Sequence, residues 1–191
     1  MAGSSSKRRA TYADLMKVPD RFVAEIIHGK LYTTPRPAPR HSQAETGLTT
    51  LLQGPFQFGL GGPGGWRLLI EPELHLLGGG EVLVPDLAGW RLERMPVLPD
   101  TAWIETVPDW LCEVLSPSTA GLDRSEKLPI YAESGVGHTW LVDPILQTLE
   151  VLRRAEDAWR LVTTFRGEGR VRAEPFEAVE LDLSLVFGTG S

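Results

Sequence analysis

One short segment, the run Asp109-Trp110-Leu111-Cys112-Glu113-Val114-Leu115, constrains the fold of this chain most strongly. Apart from its first residue, the run is apolar except for one acid, and near-continuous apolar runs are typical of strands buried on both faces. Because successive side chains of a strand point to opposite faces, Glu113 shares a face with Leu111 and Leu115. A carboxylate in such a place is costly unless it is paired, hydrogen-bonded or bound to a metal. The run therefore predicts a central strand that carries a functional site.

The remaining elements predict an α/β or α+β fold, in which a mixed sheet is flanked by a few helices. Two β-favouring runs flank His28-Gly29 and predict an N-terminal hairpin. Strands are predicted at residues 22–27, 30–34, 66–70, 72–77, 81–84, 109–115, 139–143, 149–152 and 159–164. Helices are predicted at residues 12–17, from about Ser42 as a cap to between 54 and 58, and at residues 124–134 with Gly135 as the stop.

Size and composition favour one domain at residues 11–188, after a flexible tail at residues 1–10. A chain of 191 residues with 42% hydrophobic residues can bury a core without disulfides. Its one cysteine, Cys112, is expected to be a reduced interior thiol, which favours a cytoplasmic protein. No run reaches the roughly 20 apolar residues of a membrane helix, so no membrane association is expected. The net charge of −6 argues against a passive nucleic-acid binder with a broad basic face, but not against an enzyme that binds through a metal.

A second acid, Asp86, follows Pro85 at the start of a β-favouring run. Asp86 and Glu113 on neighbouring strands would offer the oxygen ligands that Mg²⁺ prefers, and would leave positions for water and a phosphate. The alternative for either acid alone is a water-facing carboxylate or a salt bridge, and for a lone acid the two readings are about equally weighted.

Three side chains beyond the central strand are spaced four residues apart: Asp123, Lys127 and Tyr131. On a helix such residues share one face, so all three can point back toward Glu113. A lysine there is suited to neutralise a phosphate or to orient an attacking water. The alternative is an exposed ion pair between Asp123 and Lys127, worth a few tenths of a kcal/mol.

Other candidates carry weaker signals. Glu71 is a candidate third acid, with Glu73 as its competitor on the same face. Asp143 is expected to hold the turn at Pro144, and Glu25 to be a structural partner. The remaining histidines, His28, His75 and His138, lack metal-ligand spacing and receive no role.

Taken together, these segments resemble the Uma2 family, also called DUF820, which is grouped with the PD-(D/E)XK nucleases. The resemblance runs from about Tyr12 to Phe187 and rests on the following segments: Pro85-Asp86, Glu113 to Thr119, Asp123, Lys127, Tyr131, Gly135-Val136, Trp140 to Pro144, Glu25, Gly29 and Pro39-Arg40-His41. It implies a restriction-endonuclease-like mixed sheet flanked by helices, and metal-dependent cleavage of nucleic-acid phosphodiesters. By position it implies that Asp86 and Glu113 bind Mg²⁺ or Mn²⁺, and Glu71, the candidate third acid, is expected to help them. His41 resembles the family's histidine at the head of the long helix, near the substrate or the metal, and the alternative is a capping or solvent-facing histidine.

One position departs from the pattern of the parent superfamily. Leu115 stands two residues after Glu113, where the superfamily has its lysine, and the resemblance points to Lys127 as the replacement. The expected function is a metal-dependent endonuclease acting on DNA, and a homodimer is expected by analogy alone. Two alternatives remain: a catalytically degenerate member that binds nucleic acid or a protein partner, and a carboxylate-based hydrolase of another substrate.

Overall fold

Two sheets and a small β-ribbon form the framework of the computed structural model, which describes residues 8–188. Most of the tail predicted at residues 1–10 lies outside that range. In chain order the strands are β1 (Phe22–Ile27), β2 (Lys30–Pro35), β3 (Trp66–Ile70), β4 (Leu74–Leu76), β5 (Glu81–Leu83), β6 (Leu87–Arg91), β7 (Trp110–Val114), β8 (His138–Asp143), β9 (Thr148–Ala155), β10 (Ala158–Arg166), β11 (Arg170–Val171) and β12 (Leu181–Asp182).

The larger sheet has six strands in the order β10-β9-β8-β7-β6-β3. Strand β7, formed by the apolar run, lies inside this sheet, as predicted. It pairs with β8 in parallel and with β6 antiparallel, so the sheet is mixed. The smaller sheet has the order β2-β1-β5-β4 and contains the predicted hairpin, in which β1 and β2 pair across His28-Gly29. Both turn residues have positive φ angles, as a two-residue hairpin turn requires.

Five α-helices accompany the sheets in the described part of the chain: α1 (Tyr12–Leu15), α2 (Pro39–Leu52), α3 (Ala120–Leu122), α4 (Leu128–Ser134) and α5 (Leu183–Phe187). Helix α2 begins at Pro39, not at the predicted cap Ser42. The reason is that proline suits the first turn of a helix, where its missing N–H has no partner to lose. No helix within residues 8–188 is long and apolar enough to cross a membrane.

The predicted helix at 124–134 is longer than expected and contains a π-helical turn. It runs through α3, the π turn Asp123–Lys127 and α4 without a break, and we call it the helical segment 120–134. Gly135 ends it with a φ of 94°, as predicted. Single π turns inside α-helices are frequent at functional sites.

The six-stranded sheet has a hydrophobic core on each face. On one face α2 and α5 pack against Trp110, Cys112 and Val114 of β7. On the other face the helical segment and the smaller sheet pack against Leu111 and its neighbours. Glu113 therefore shares its face with Leu111 and Leu115, as predicted, and Cys112 is a buried free thiol.

The strands predicted at 72–77 and 81–84 correspond to β4 and β5 of the smaller sheet. The chain therefore leaves the larger sheet after β3 and returns to it at β6. The first of these strands is shorter than predicted, because only Leu74–Leu76 is extended and it pairs with β5 of the smaller sheet. Glu71 has a φ of 44°, a left-handed conformation that interrupts a strand. Its N–H donates to the carbonyl oxygen of Asp86 at 2.9 Å, so the two crossings lie side by side.

Candidate active site

A cleft of about 390 Å³ opens where β7 ends, between the two sheets and the helical segment. Its walls carry far more acid than base. Five carboxyl groups line it, together with Arg36, Lys127 and His41; the acids are Glu25, Glu71, Asp86, Glu113 and Asp123. All seven residues predicted for the site lie in or beside this cleft.

Asp86 and Glu113 become neighbours through strand register. Leu87 of β6 pairs with Cys112 of β7, so the residue before Leu87 meets the residue after Cys112 at the same edge of the sheet. The N–H of Val114 donates to Oδ2 of Asp86 at 2.6 Å, which fixes that carboxylate beside β7. His41 Nε2 lies 3.1 Å from the other oxygen, Oδ1, so the N-terminal turn of α2 reaches the same place.

The helical segment brings Asp123, Lys127 and Tyr131 to Glu113, as the spacing predicts. Lys127 Nζ lies 2.8 Å from Glu113 Oε1, and the Tyr131 hydroxyl donates to the same oxygen at 2.6 Å. Asp123 Oδ1 lies 3.7 Å from Lys127 Nζ. The lysine side chain is only 4% exposed, so this is not the exposed surface ion pair of the alternative reading. The juxtaposition is confirmed, and the chemical role of each residue stays a prediction.

Glu25, which was expected to be a structural partner, joins the cluster from the hairpin, and the sequence did not show that its partner is Lys127. Its Oε1 lies 3.0 Å from Lys127 Nζ and also accepts the N–H of Val84 at 2.9 Å. The sequence places Glu25 on a strand of a hairpin far from the other acids, and only the pairing of β1 with β5 brings it near Val84.

Burial controls the electrostatics of this cluster. It raises the pKa of Glu113 well above its usual range, against the opposing effect of Lys127, and it raises the pKa of Asp123. For Lys127, burial favours the neutral amine, but the Glu113 and Glu25 carboxylates outweigh it and raise its pKa. One ammonium therefore faces three buried acids, and burial shifts the titration of two of them, Glu113 and Asp123, to higher pH.

Helix α2 contributes two further titratable groups. Burial lowers the pKa of His41, but Asp86 outweighs this effect and raises it overall, while Nδ1 of the ring is buried without a hydrogen-bond partner. Glu45 lies one helical turn beyond His41, and burial together with the charges of Asp86 and Glu71 raises its pKa to about 7. Sequence reasoning missed Glu45, although its spacing of four residues from His41 was a usable signal.

Only one of the two candidates for a third acid reaches the cleft. Glu71 lines the cleft, where its Oε2 lies 3.1 Å from Arg36 Nη1. Glu73 turns away and contacts His75 Nε2 at 2.8 Å. The left-handed Glu71 accounts for the separation, because it ends the alternation on which the shared face was predicted.

Asp143 lies outside the cleft and holds its turn, as predicted. Its Oδ1 accepts the N–H groups of Ile145 and Leu146 at 2.9 and 2.8 Å.

Asp86 and Glu113 are suited to a hard divalent cation. Within residues 8–188 no group of three or more His, Cys, Asp or Glu side chains is arranged to hold a metal ion. Mg²⁺ does not require such a cage, since it is commonly bound by one or two carboxylates together with water and substrate phosphates. Asp86, directly before β6, and Glu113 of β7 line one cleft from neighbouring backbone positions and fit that description.

Comparison with protein-family models identifies the family of this chain. A family model named Uma2, described as "Putative restriction endonuclease", matches residues 10–185. The chain belongs to the Uma2 family. The resemblance inferred from the sequence is thereby confirmed, and it extends over nearly all of the described residues.

A solved structure supports the fold of this Uma2 chain. It is a crystal structure from Anabaena variabilis described as "a putative nuclease belonging to DUF820", with a TM-score of 0.75 and 22% identity. The match covers 94% of this chain and 98% of the other. It confirms the predicted fold, a mixed sheet flanked by helices. A search of curated proteins finds no match to this Uma2 chain.

Proposed function

We propose that this protein is a metal-dependent endonuclease that hydrolyses phosphodiester bonds of DNA. The observation that carries the proposal is the meeting of Asp86, Glu113 and Lys127 at one cleft. These residues come from three different elements, and each is held there by a contact of 2.8 Å or less. Membership of a family described as restriction endonucleases supports DNA as the substrate.

The charge of the cleft supports dependence on a metal. Five carboxyl groups against Arg36 and Lys127 give a surface that repels a phosphodiester. A divalent cation bound at the carboxylates would be the largest local charge in the cleft, so the cleft would attract a phosphodiester where it otherwise repels one.

Each residue of the cluster has a distinct proposed role. Asp86 and Glu113 hold Mg²⁺ or Mn²⁺, with Glu71 as a further candidate ligand if it leaves Arg36. When bound, such an ion polarises the scissile phosphate and lowers the pKa of a coordinated water. Lys127 supplies a fixed positive charge beside Glu113, where negative charge develops on the phosphate. Tyr131 orients Glu113 through its hydroxyl.

Cleavage of supercoiled plasmid DNA with Mn²⁺ or Mg²⁺ tests the proposal. We expect the wild type to nick or linearise the plasmid, and Asp86→Asn and Glu113→Gln to lose activity by at least about a hundredfold. Asp109→Asn is the matched control, because Asp109 lies at the opposite end of β7 and also accepts a backbone N–H, from Arg91 at 2.8 Å.

The outcomes separate the proposal from its alternatives. Equal activity of Asp86→Asn and Asp109→Asn would contradict the proposed site. DNA binding by the wild type without cleavage under either metal would favour the catalytically degenerate reading. Cleavage of RNA but not of DNA would change the substrate and leave the site intact.

A further inference from the structure

Glu25 is the member of the cluster that lies farthest from the other acids in the sequence. It lies on β1 of the smaller sheet, and its side chain is 6% exposed. One of its carboxylate oxygens, Oε1, accepts the N–H of Val84 at 2.9 Å and also lies 3.0 Å from Lys127 Nζ. Strand β1 of the hairpin thus supplies a carboxylate that contacts Lys127 of the helical segment.

Lys127 holds its charge in a place almost without water. A buried ammonium requires counter-charge and hydrogen-bond partners to offset its desolvation. Glu113 and Glu25 provide these at 2.8 and 3.0 Å, and Asp123 is farther away at 3.7 Å. The ammonium therefore lies between the strand acid and the hairpin acid.

This position creates a conflict if Glu113 also binds a divalent cation. Two cations on one carboxylate repel each other, and the repulsion is strong where water is excluded. Resting on the proposed function, we propose that Glu25 is a positioning residue: it holds the Lys127 ammonium and balances its charge, so that Glu113 can bind the metal while Lys127 stays in the cleft.

Glu81 offers a matched control for a purely structural role. It is a buried glutamate on β5, the strand that pairs with β1, and it is 6% exposed. Like Glu25 it accepts a backbone N–H, from His28 at 2.7 Å, and the nearest basic side chain there is the His28 ring, 3.7 Å away, not Lys127. A glutamate that only anchors the hairpin should behave as Glu81 does.

The test compares Glu25→Gln with Glu81→Gln in two measurements, Mn²⁺ binding by calorimetry and steady-state cleavage of a DNA substrate. We expect Glu25→Gln to weaken Mn²⁺ binding by about tenfold and to lower kcat by about 10- to 100-fold, as loss of a group supporting a metal ligand does elsewhere. KM for the DNA should change less than about twofold, because Glu25 acts through Lys127 and Glu113. Glu81→Gln should leave Mn²⁺ affinity and kcat within about twofold of the wild type.

Each outcome decides something. Equal effects of the two substitutions on Mn²⁺ affinity and kcat would overturn the inference and leave the proposed function intact. A wild type that neither binds Mn²⁺ nor cleaves DNA would overturn both. If Glu25→Gln does not fold, Glu25→Asp replaces it, since the shorter acid keeps the charge but loses its reach to Lys127; wild-type kcat and Mn²⁺ affinity in Glu25→Asp would also overturn the inference.

Discussion

Lys127 contacts Glu113 from a helix, and the strand position two residues after Glu113 is filled by a core side chain. Leu115 occupies that position and is 3% exposed in the core beneath the helical segment. A lysine there would have to bury its stem and its charge among apolar neighbours. The helix offers a better place, since it brings the ammonium to Glu113 together with the Asp123 carboxylate, and Glu25 of the hairpin contacts the ammonium there.

Removing this ammonium should destabilise the protein in a pH-dependent way. Lys127→Met leaves Glu25, Glu113 and Asp123 facing one another without a cation, and loss of one partner from a buried ion pair costs about 3–5 kcal/mol. We expect the free energy of unfolding at pH 8 to fall by about 3 kcal/mol in urea titrations. Lys30→Met, at an exposed lysine, should change it by less than about 0.5 kcal/mol.

The sign of the pH dependence follows from the acids. The folded-state pKa values of Glu113 and Asp123 are raised, so these groups favour the folded state below their unfolded pKa values, and that contribution is lost as the pH rises. Lys127 lowers both pKa values, so its removal raises them further and more stability is lost as the pH rises. The deficit of Lys127→Met should therefore be smaller at pH 5 than at pH 8. A deficit that is equal at both pH values would contradict the shared-charge cluster.

Which site residues the sequence could predict depends on whether the signal was local. Glu113, Lys127 and Tyr131 were predictable, because strand alternation and helical spacing are local rules. The place of Arg36 in the cleft and the contact of Glu25 with Lys127 were not, because both depend on how the smaller sheet docks on the larger one. The packing of one sheet against the other produces no periodic pattern in the amino-acid sequence.

Among the elements, strands with strong periodicity were predicted well and their ends were not. The central strand and the hairpin were placed within a residue or two, since apolar runs and a glycine-containing turn determine them. The ends of the strand expected at residues 72–77 and the cap expected at Ser42 were wrong. A left-handed Glu71 shortens the strand, and Pro39 takes the first helical position of α2, a local preference of proline that was readable from the sequence.

The contact between α2 and α5 should depend on the absence of a side chain at Gly47. A Cβ there would collide with the backbone carbonyl of Leu185 and lie 2.8 Å from Val186 Cα. We expect Gly47→Ala to lower the free energy of unfolding by about 2 kcal/mol, despite the better helix propensity of alanine. In the matched control Gly121→Ala, the new Cβ meets nothing within 4 Å, and stability should rise by about 0.5 kcal/mol. Thermal melts of both variants check this, and a stabilised Gly47→Ala would contradict the close packing.

At the scale of the whole molecule, charge should make nucleic-acid binding conditional. The protein carries a net charge of −6, and its cleft is acidic. We expect fluorescence anisotropy to show little binding of a labelled DNA duplex in EDTA, and at least about tenfold tighter binding with Ca²⁺. Asp86→Asn should lose the Ca²⁺ effect, whereas Asp109→Asn should keep it. Tight binding in EDTA would show that a basic surface, not the cleft, recognises the nucleic acid.

The hairpin has a consequence for how such a protein can change over time. Val23 and Thr34 of the hairpin line one wall of the cleft. Asp86 lies in the crossing before β6 and Glu113 lies on β7, so neither belongs to the hairpin. Substitutions at Val23 and Thr34 therefore change this wall of the cleft without altering Asp86 or Glu113. We expect variation confined to these positions to change which substrates fit the cleft and to leave the two carboxylates in place.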